Sequence, residues 1–198
     1  MTGRSRAPRR PVVKHQSEPA YRLKITLLEV EASVWRRILV PGTISLDRLH
    51  MVIQKAMGWE NAHLHEFTVE GRRFGEPDLD EPDENVEPEW KVTLREVAPE
   101  AGRRFEYFYD FGDSWMHEVV VERTEVPEEE LRYPMCLAGE RSCPPEDCGG
   151  PPGYADFLEA VRDPRHPEHN EILAWVGGAF DPEAFDLTAV NLKLRLLK

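Results

Sequence analysis

Alternating apolar and polar residues predict two strands early in the chain. Residues 21–27 follow the period-two pattern of a half-buried strand. Residues 34–40 form a second such stretch, which ends at the turn pair Pro41-Gly42. Because the link between the two stretches is short, we expect them to pair antiparallel.

The period then changes to that of a helix. Ser45 is a suitable N-cap residue, and Gly58 stands where a left-handed C-cap would end the helix. Between them, the following apolar residues recur at helical spacing: Leu46, Leu49, Ile53, Ala56 and Met57. The pattern predicts one amphipathic helix embedded among strands.

Strand patterns return after this helix. Residues 63–70 alternate again, and residues 90–94 restart a strand after an acidic stretch. Residues 105–111 place four aromatic side chains on one face, and Gly112-Asp113 turns the chain into residues 115–121. The last two stretches predict a hairpin at the centre of the sheet.

The last third of the chain differs from the rest in composition and in periodicity. Residues 133–152 are rich in Pro, Gly and Cys and have no period, which predicts an ordered irregular loop. Helical spacing follows over residues 154–161 and 172–176, Asp181-Pro182 suits a short helical turn, and residues 187–197 predict a final helix. The predicted fold class is α+β: a mainly antiparallel sheet with one embedded helix, and C-terminal helices packed on one face.

Charge divides the chain unevenly. The 198 residues carry a formal net charge of −12, yet five basic residues and no acidic one precede Glu18. We therefore expect a disordered basic tail over residues 1–18 and a single α+β domain over residues 19–198, in which eight acidic residues between 76 and 89 mark a flexible loop. The acidic domain disfavours binding to the phosphates of a nucleic acid, so we expect nucleic-acid contact only through the basic tail.

Composition also bears on the compartment. No run of about 18 apolar residues is present, so we expect no membrane-spanning helix, and the basic start lacks the apolar segment of a secretory signal. Three cysteines do not make a disulfide framework. These features favour a cytoplasmic protein.

Six segments, in order, resemble the plasmid pRiA4b ORF-3-like protein family. They are WRRILVPG, LHMVIQKAMGW, HLHEF, FEYFYDFGDSWMH, CPPEDCGGPPGY and AWVGGAFDPEAFD, and the resemblance runs from about Tyr21 to Leu196. Members of this family are mostly uncharacterised, and some are labelled transposon passengers or resolvases. The resemblance implies no catalytic residues, although it suggests an association with mobile elements.

The resolvase label is not supported by the residues. A serine recombinase needs an activated serine near its start with arginines around it, and a tyrosine recombinase needs a late nucleophilic tyrosine among Arg and His side chains. We identify no serine here in such a catalytic site, and the last tyrosine is Tyr154. We therefore expect no recombinase activity.

One set of candidate residues combines imidazoles with carboxylates. His65 and His117 lie on the apolar faces of predicted strands, and His50 lies beside the apolar stripe of the first helix. Asp110 and Asp113 flank the hairpin turn. If the helix covers the sheet, these groups could ligate zinc, or His65 or His117 could act as a general base oriented by a carboxylate. The alternative is partly buried histidines bonded to the backbone, with the aspartates capping a tight turn.

The cysteine-rich loop is a second candidate. Cys143 and Cys148 enclose Glu146 and Asp147, and Cys136 precedes them. Such a loop could bind metal, with a histidine such as His117 or His169 as the fourth ligand, or it could expose a reactive thiol. However, the four-residue gap is not that of a zinc knuckle, and the loop could be purely structural.

Aromatic residues complete the predicted pocket. Tyr107, Tyr109 and Trp115 could line a ligand groove, although such residues more often belong to the core. The pocket would lie between the first helix and the hairpin, with the cysteine loop at its rim. The sequence favours a binding or interaction module for a protein or small molecule. The alternatives are a metal-dependent, hydrolase-like enzyme using the same cluster and a mobile-element accessory protein that touches nucleic acid through its tail.

Overall fold

A computed structural model describes residues 19–77, 83–125 and 134–197. Eight strands in these ranges form one sheet in the order β5-β4-β3-β6-β7-β1-β2-β8, in which all neighbours are antiparallel except β4 and β5. The strands are β1 (Ala20–Leu27), β2 (Trp35–Pro41), β3 (His65–Val69), β4 (Arg72–Gly75), β5 (Val86–Pro88), β6 (Arg104–Tyr109), β7 (Trp115–Glu125) and β8 (Met135–Glu140).

Five α-helices and one short 3-10 helix complete the described part of the chain. They are α1 (Leu46–Met57), α2 (Leu94–Val97), α3 (Gly150–Arg162), α4 (His169–Trp175) and α5 (Leu187–Leu194), with the 3-10 turn at Glu89–Lys91. The predicted α+β class is confirmed. No helix in the described ranges is long and apolar enough to cross a membrane.

The embedded helix α1 forms where the pattern predicts it. Ser45 has the extended backbone of an N-cap, and Gly58 takes the left-handed conformation with a φ of 107°. The buried face of α1 covers the sheet over its central hairpin, β6 and β7, where Tyr107 pairs with His117. Tyr154 of α3 packs on Trp115, and α5 packs against β8 and α1, so helices cover the same face along much of the sheet.

Three local predictions are wrong. Residues 90–94 do not form a strand, because Glu89–Lys91 is a 3-10 turn and Thr93 forms a capping box with Glu96 that begins α2. Residues 86–88, inside the predicted acidic loop, form β5. The predicted irregular loop of residues 133–152 contains β8, which pairs with β2, and the start of α3. The predicted tail, residues 1–18, and residues 78–82 of the predicted acidic loop lie outside the described ranges.

Candidate functional site

His50 lies on the buried face of α1 and is held at both ring nitrogens. Its Nδ1 lies 2.8 Å from the Tyr107 hydroxyl, and its Nε2 lies 2.6 Å from Asn61 Oδ1. Because Gln54 donates a hydrogen bond to the same hydroxyl, Tyr107 donates to His50 Nδ1, and His50 donates its Nε2 proton to Asn61. Burial, with a smaller contribution from the neighbouring His65, lowers the pKa of His50 to about 3. His50 is therefore a neutral imidazole with a single tautomer.

His65 stacks directly on this ring. The two ring centroids are 3.4 Å apart with planes within 5° of parallel, and His65 Nε2 lies 2.8 Å from Glu89 Oε2. The side chains of His65 and Glu89 are only 8% and 6% exposed. The stacked pair forms one wall of a cleft of about 450 Å³, which His63, Asp47 and Glu76 also line.

His117 lies deeper, in the core beneath Tyr107. It is fully buried, its Nδ1 donates to the Tyr107 carbonyl at 3.1 Å, and its ring meets Trp59 edge-on. Burial lowers the pKa of His117 to about 4, so the ring is neutral. Its Nε2 has no hydrogen-bond partner among the described residues. His117 does not line the cleft. The Tyr107 ring contacts both His117 and His50 and so lies between the two imidazoles.

A second group of polar side chains meets beside the cleft, and we call it the His63 cluster: His63, Asp110, Glu146 and Asp147. His63 Nε2 lies 3.0 Å from Asp147 Oδ1, 3.5 Å from Asp110 Oδ2 and 4.0 Å from Glu146 Oε2. This nitrogen is shielded from solvent and, among the described residues, has no partner in hydrogen-bonding geometry. The ligating atoms of His63, Asp110 and Asp147 all lie within 4.8 Å of one another.

The backbone turns the aspartates toward His63. Asp110 directly follows β6 and has a φ of 56°, and Asp147 has a φ of 57°. Asp adopts this left-handed conformation more readily than most residues. Asp110 Oδ1 accepts the backbone N–H groups of Gly112 and Asp113, which leaves Oδ2 facing the imidazole. The side chain of Asp110 is only 8% exposed, so its charge is largely removed from water.

Glu146 is fixed by the connection between α1 and β3. The Tyr109 hydroxyl donates to Glu146 at 3.0 Å and accepts the backbone N–H of Ala62, while the Glu60 N–H donates to the same carboxylate at 2.8 Å. Burial and the nearby carboxylate raise the pKa of Tyr109, so this hydroxyl stays protonated. Trp59 Nε1 donates to the Pro144 carbonyl at 3.0 Å. The cysteine loop is thereby held against the segment that carries His63.

The thiols do not converge with the imidazoles. In the described ranges, His63, Asp110 and Asp147 are the only group of three or more metal-ligating side chains this close, and none of the predicted metal ligands His50, His65, His117, Cys136, Cys143 and Cys148 belongs to it. Cys136 lies on β8, at the edge of the sheet opposite β5. Cys143 faces Met57 and Arg36, and burial raises its pKa to about 11.

Cys148 and Asp113 serve the loop itself. Burial raises the pKa of Cys148 to about 12, with Asp113 adding to the effect, so neither Cys143 nor Cys148 is an activated thiol. Asp113 Oδ2 accepts the Gly149 N–H at 3.0 Å and so anchors the start of α3. Of the predicted catalytic residues, Asp110 lies in the His63 cluster, His65 in the cleft wall and His117 in the core.

Sequence reasoning misses three important groups and misplaces a fourth. The alternating pattern places His63 on a strand face with His65, whereas His63 lies in the loop before β3. Gln54, Asn61 and Glu89 were not singled out, yet each bonds a site residue. The nearest sequence signal was His63-Leu64-His65, since two imidazoles so close in the chain suggest a shared site.

Comparisons with known proteins agree with this fold and leave the activity open. The chain is 44% identical over 171 residues to the uncharacterized protein y4hQ of Sinorhizobium fredii (strain NBRC 101917 / NGR234), covering 86% of this chain and 88% of that protein. It is similar to the crystal structure of a protein of unknown function, MM3350, from Methanosarcina mazei Go1. The TM-score is 0.77 at 35% identity, over 87% of this chain and 97% of the other. Residues 19–189 match the family described as plasmid pRiA4b ORF-3-like protein, and the chain belongs to that family.

Proposed function

We propose that this protein is a metal-dependent binding module that holds one divalent cation in the His63 cluster. One observation carries the proposal: a solvent-shielded imidazole nitrogen without a hydrogen bond faces three carboxylates at 3.0, 3.5 and 4.0 Å. Three carboxylates this close repel one another, and a buried nitrogen without a partner costs free energy. A divalent cation relieves both costs at once.

The donor set favours a particular kind of metal. Imidazole nitrogen with carboxylate oxygen suits Zn²⁺ and Mn²⁺, whereas Mg²⁺ is bound by oxygen ligands and retains several waters. No thiol takes part, so the site differs from a structural zinc knuckle. The Irving–Williams order places Zn²⁺ above Mn²⁺ in affinity for a given set of nitrogen and oxygen ligands.

Three protein ligands leave a coordination position open for a ligand or a water molecule. His63 also lines the cleft, so a molecule bound there would lie beside the metal. The His65–Glu89 pair in the same cleft favours one second candidate, a metal-dependent hydrolase in which His65 serves as a base oriented by Glu89.

Calorimetric titration of EDTA-treated protein with Zn²⁺ and Mn²⁺ tests the proposal. We expect one ion per chain, tighter binding of Zn²⁺, and a loss of at least about 10-fold in affinity for His63→Ala and for Asp110→Asn. His166→Ala, which removes an imidazole outside the cluster, is the matched control and should bind as the wild type does. Equal binding by His63→Ala and wild type, or no binding by wild type, would refute the site.

Hydrolase activity is tested separately, once the metal is loaded. A panel of nitrophenyl esters and phosphoesters should be turned over by the wild type and much more slowly by Glu89→Gln, which retains the metal ligands. Metal binding without turnover would support the binding module and refute the hydrolase.

A further inference from the structure

Two carboxylates of the His63 cluster also line a groove that contains aromatic side chains. The lining includes Glu146 and Asp147 of the cluster together with Trp59, Trp175, Val176 and Phe180, and we call it the Trp175 groove. Its volume of about 500 Å³ is within the range of small-molecule sites. His63 lines the cleft described above and not this groove, so the cluster borders two different openings.

Trp175 is an exposed aromatic side chain in this concave place. It is 52% exposed, whereas Trp59 in the same groove is 3% exposed. Val176 and Phe180, which also line the groove, are partly buried against the core. An apolar group that covers the exposed indole ring removes apolar surface from water and so gains free energy.

The end of α4 fixes the position of Trp175. Gly178 has a positive φ of 107°, and its N–H donates to a carbonyl oxygen of α4 at 2.7 Å, which ends the helix directly after the tryptophan. The Phe157 ring of α3 meets the Trp175 ring edge-on, with centroids 6.1 Å apart. Trp175 and Asp147 together line two neighbouring clefts. The indole ring is therefore held close to the His63 cluster before any ligand binds.

The charge of the groove favours an uncharged ligand. Its charged residues are Glu60, Glu146 and Asp147, and no lysine or arginine of the described ranges belongs to its lining. A divalent cation in the His63 cluster offsets two of the three carboxylate charges there, so an anion would still meet net negative charge. A neutral donor therefore suits the open coordination position better, and a heterocyclic nitrogen is a donor that Zn²⁺ binds well.

We propose that the Trp175 groove and the metal together bind an uncharged nitrogen heterocycle that carries an apolar ring. The heterocyclic nitrogen would take the open coordination position, and the apolar ring would pack on Trp175 and Phe180. Trp175 would then determine the specificity for the apolar ring. This inference rests on the proposed metal site and names the class of ligand that the site accepts.

Imidazole and 1-benzylimidazole are suitable probes, because they share the nitrogen donor and differ by one apolar ring. Both are titrated by calorimetry into zinc-loaded full-length protein freed of excess metal, at about pH 8, where an imidazole is uncharged. We expect 1-benzylimidazole to bind at least about 10-fold more tightly than imidazole, since burial of a phenyl ring supports a ratio of this size. EDTA-treated protein should bind 1-benzylimidazole at least about 10-fold more weakly than zinc-loaded protein does.

Variants at two equally exposed tryptophans test the role of Trp175. Trp175→Ala should reduce the ratio between the two probes to about 2 or less and leave the affinity for Zn²⁺ unchanged, because Trp175 is not a metal ligand. Trp175→Phe should retain most of the preference for 1-benzylimidazole. Trp90→Ala is the matched control, since Trp90 is 51% exposed and lies in the 3-10 turn outside the groove. It should keep the ratio of the wild type.

The zinc titration separates failure of the metal site from failure of the ligand assignment. Absence of zinc binding by the wild type would refute the metal site and this inference with it. Zinc binding with equal affinity for the two probes, or a preference that survives in Trp175→Ala, would overturn this inference alone. Equal binding of 1-benzylimidazole with and without zinc would also overturn it. Tighter binding of phenylacetate, an anion with the same apolar ring, than of 1-benzylimidazole would overturn the choice of an uncharged ligand.

Discussion

Arg36 shows at the scale of one residue how the fold accommodates a buried charge. Its side chain reaches four backbone carbonyl oxygens at 2.8–2.9 Å, those of Trp35, Ala56, Glu140 and Arg141. The guanidinium group also stacks over the Phe185 ring at 4.7 Å. This one residue therefore ties β2, the end of α1 and the end of β8 together.

Replacing Arg36 by lysine should destabilise the protein strongly. Lysine keeps the charge but cannot span the same carbonyl oxygens, so buried acceptors lose their donors. We expect Arg36→Lys to lower the free energy of unfolding by about 2–4 kcal/mol in urea titrations. Arg104→Lys, at a side chain that is 63% exposed, should change it by less than about 0.5 kcal/mol. Similar values for the two variants would contradict this account.

The lowered pKa of His117 predicts that the stability of the folded protein falls as the pH falls. Its pKa is about 4 in the folded protein, against about 6.5 for an unfolded histidine, so the unfolded state binds a proton first as the pH falls. Stability should therefore decline from pH 6.5 toward pH 4, by roughly 3 kcal/mol from this residue. In His117→Phe, urea titrations across pH 4.5–7.5 should give a shallower decline, and the two curves should run parallel above pH 7. An unchanged slope in the variant would show that His117 is not the source.

At the scale of elements, the start of α3 must dock closely on the β6–β7 turn for Asp147 to reach His63. A Cβ at Gly150 would lie 2.3 Å from the Asp113 carbonyl oxygen, and Gly150 has a φ of 68°. Gly177 also has a positive φ, of 88°, but a Cβ there would meet nothing within 4 Å. Comparing alanine variants at the two glycines therefore separates the free-energy cost of a steric clash from that of the backbone conformation.

Gly150→Ala should therefore weaken metal binding as well as stability, because the clash displaces the loop that carries Asp147. Gly177→Ala should cost about 1–2 kcal/mol of stability through its φ alone and leave the affinity for Zn²⁺ unchanged. Thermal unfolding and zinc titration of both variants measure the two effects. Equal zinc affinity in Gly150→Ala and wild type would show that the loop tolerates the displacement.

The same elements explain how far the sequence could predict the fold and the site. Strands β1 and β7 bury one face and leave the other half-buried, so the sequence shows their period of two. Strand β5 has only three residues, all half-buried, and β8 is an edge strand whose buried positions do not alternate. Neither therefore shows the alternation of apolar and polar residues by which a strand is predicted. The helix face that carries His50 and the strand face that carries Tyr107 predict that the two side chains lie in one pocket. The contact of His63 with Asp147 depends on a loop conformation that no period encodes.

At the scale of the molecule, the proposed metal would join segments that are distant in the chain. His63 precedes β3, Asp110 follows β6, and Asp147 lies before α3. Because such a site exists only in the folded state, metal binding should add to global stability. The repulsion among the three carboxylates acts in the opposite direction when the metal is absent.

Zinc should therefore raise the thermal midpoint of the wild type. At a concentration of 100 times Kd, a single site of this kind adds about 2.7 kcal/mol to the free energy of unfolding, provided the unfolded chain does not bind the metal. His63→Ala should show little or no shift in differential scanning fluorimetry, while His166→Ala should shift as the wild type does. Asp110→Asn, which removes one of the mutually repelling charges, should also lose most of the zinc response. A zinc-induced shift of the thermal midpoint that survives in both His63→Ala and Asp110→Asn would place the metal elsewhere in the chain. It would also refute the open coordination position beside the cleft.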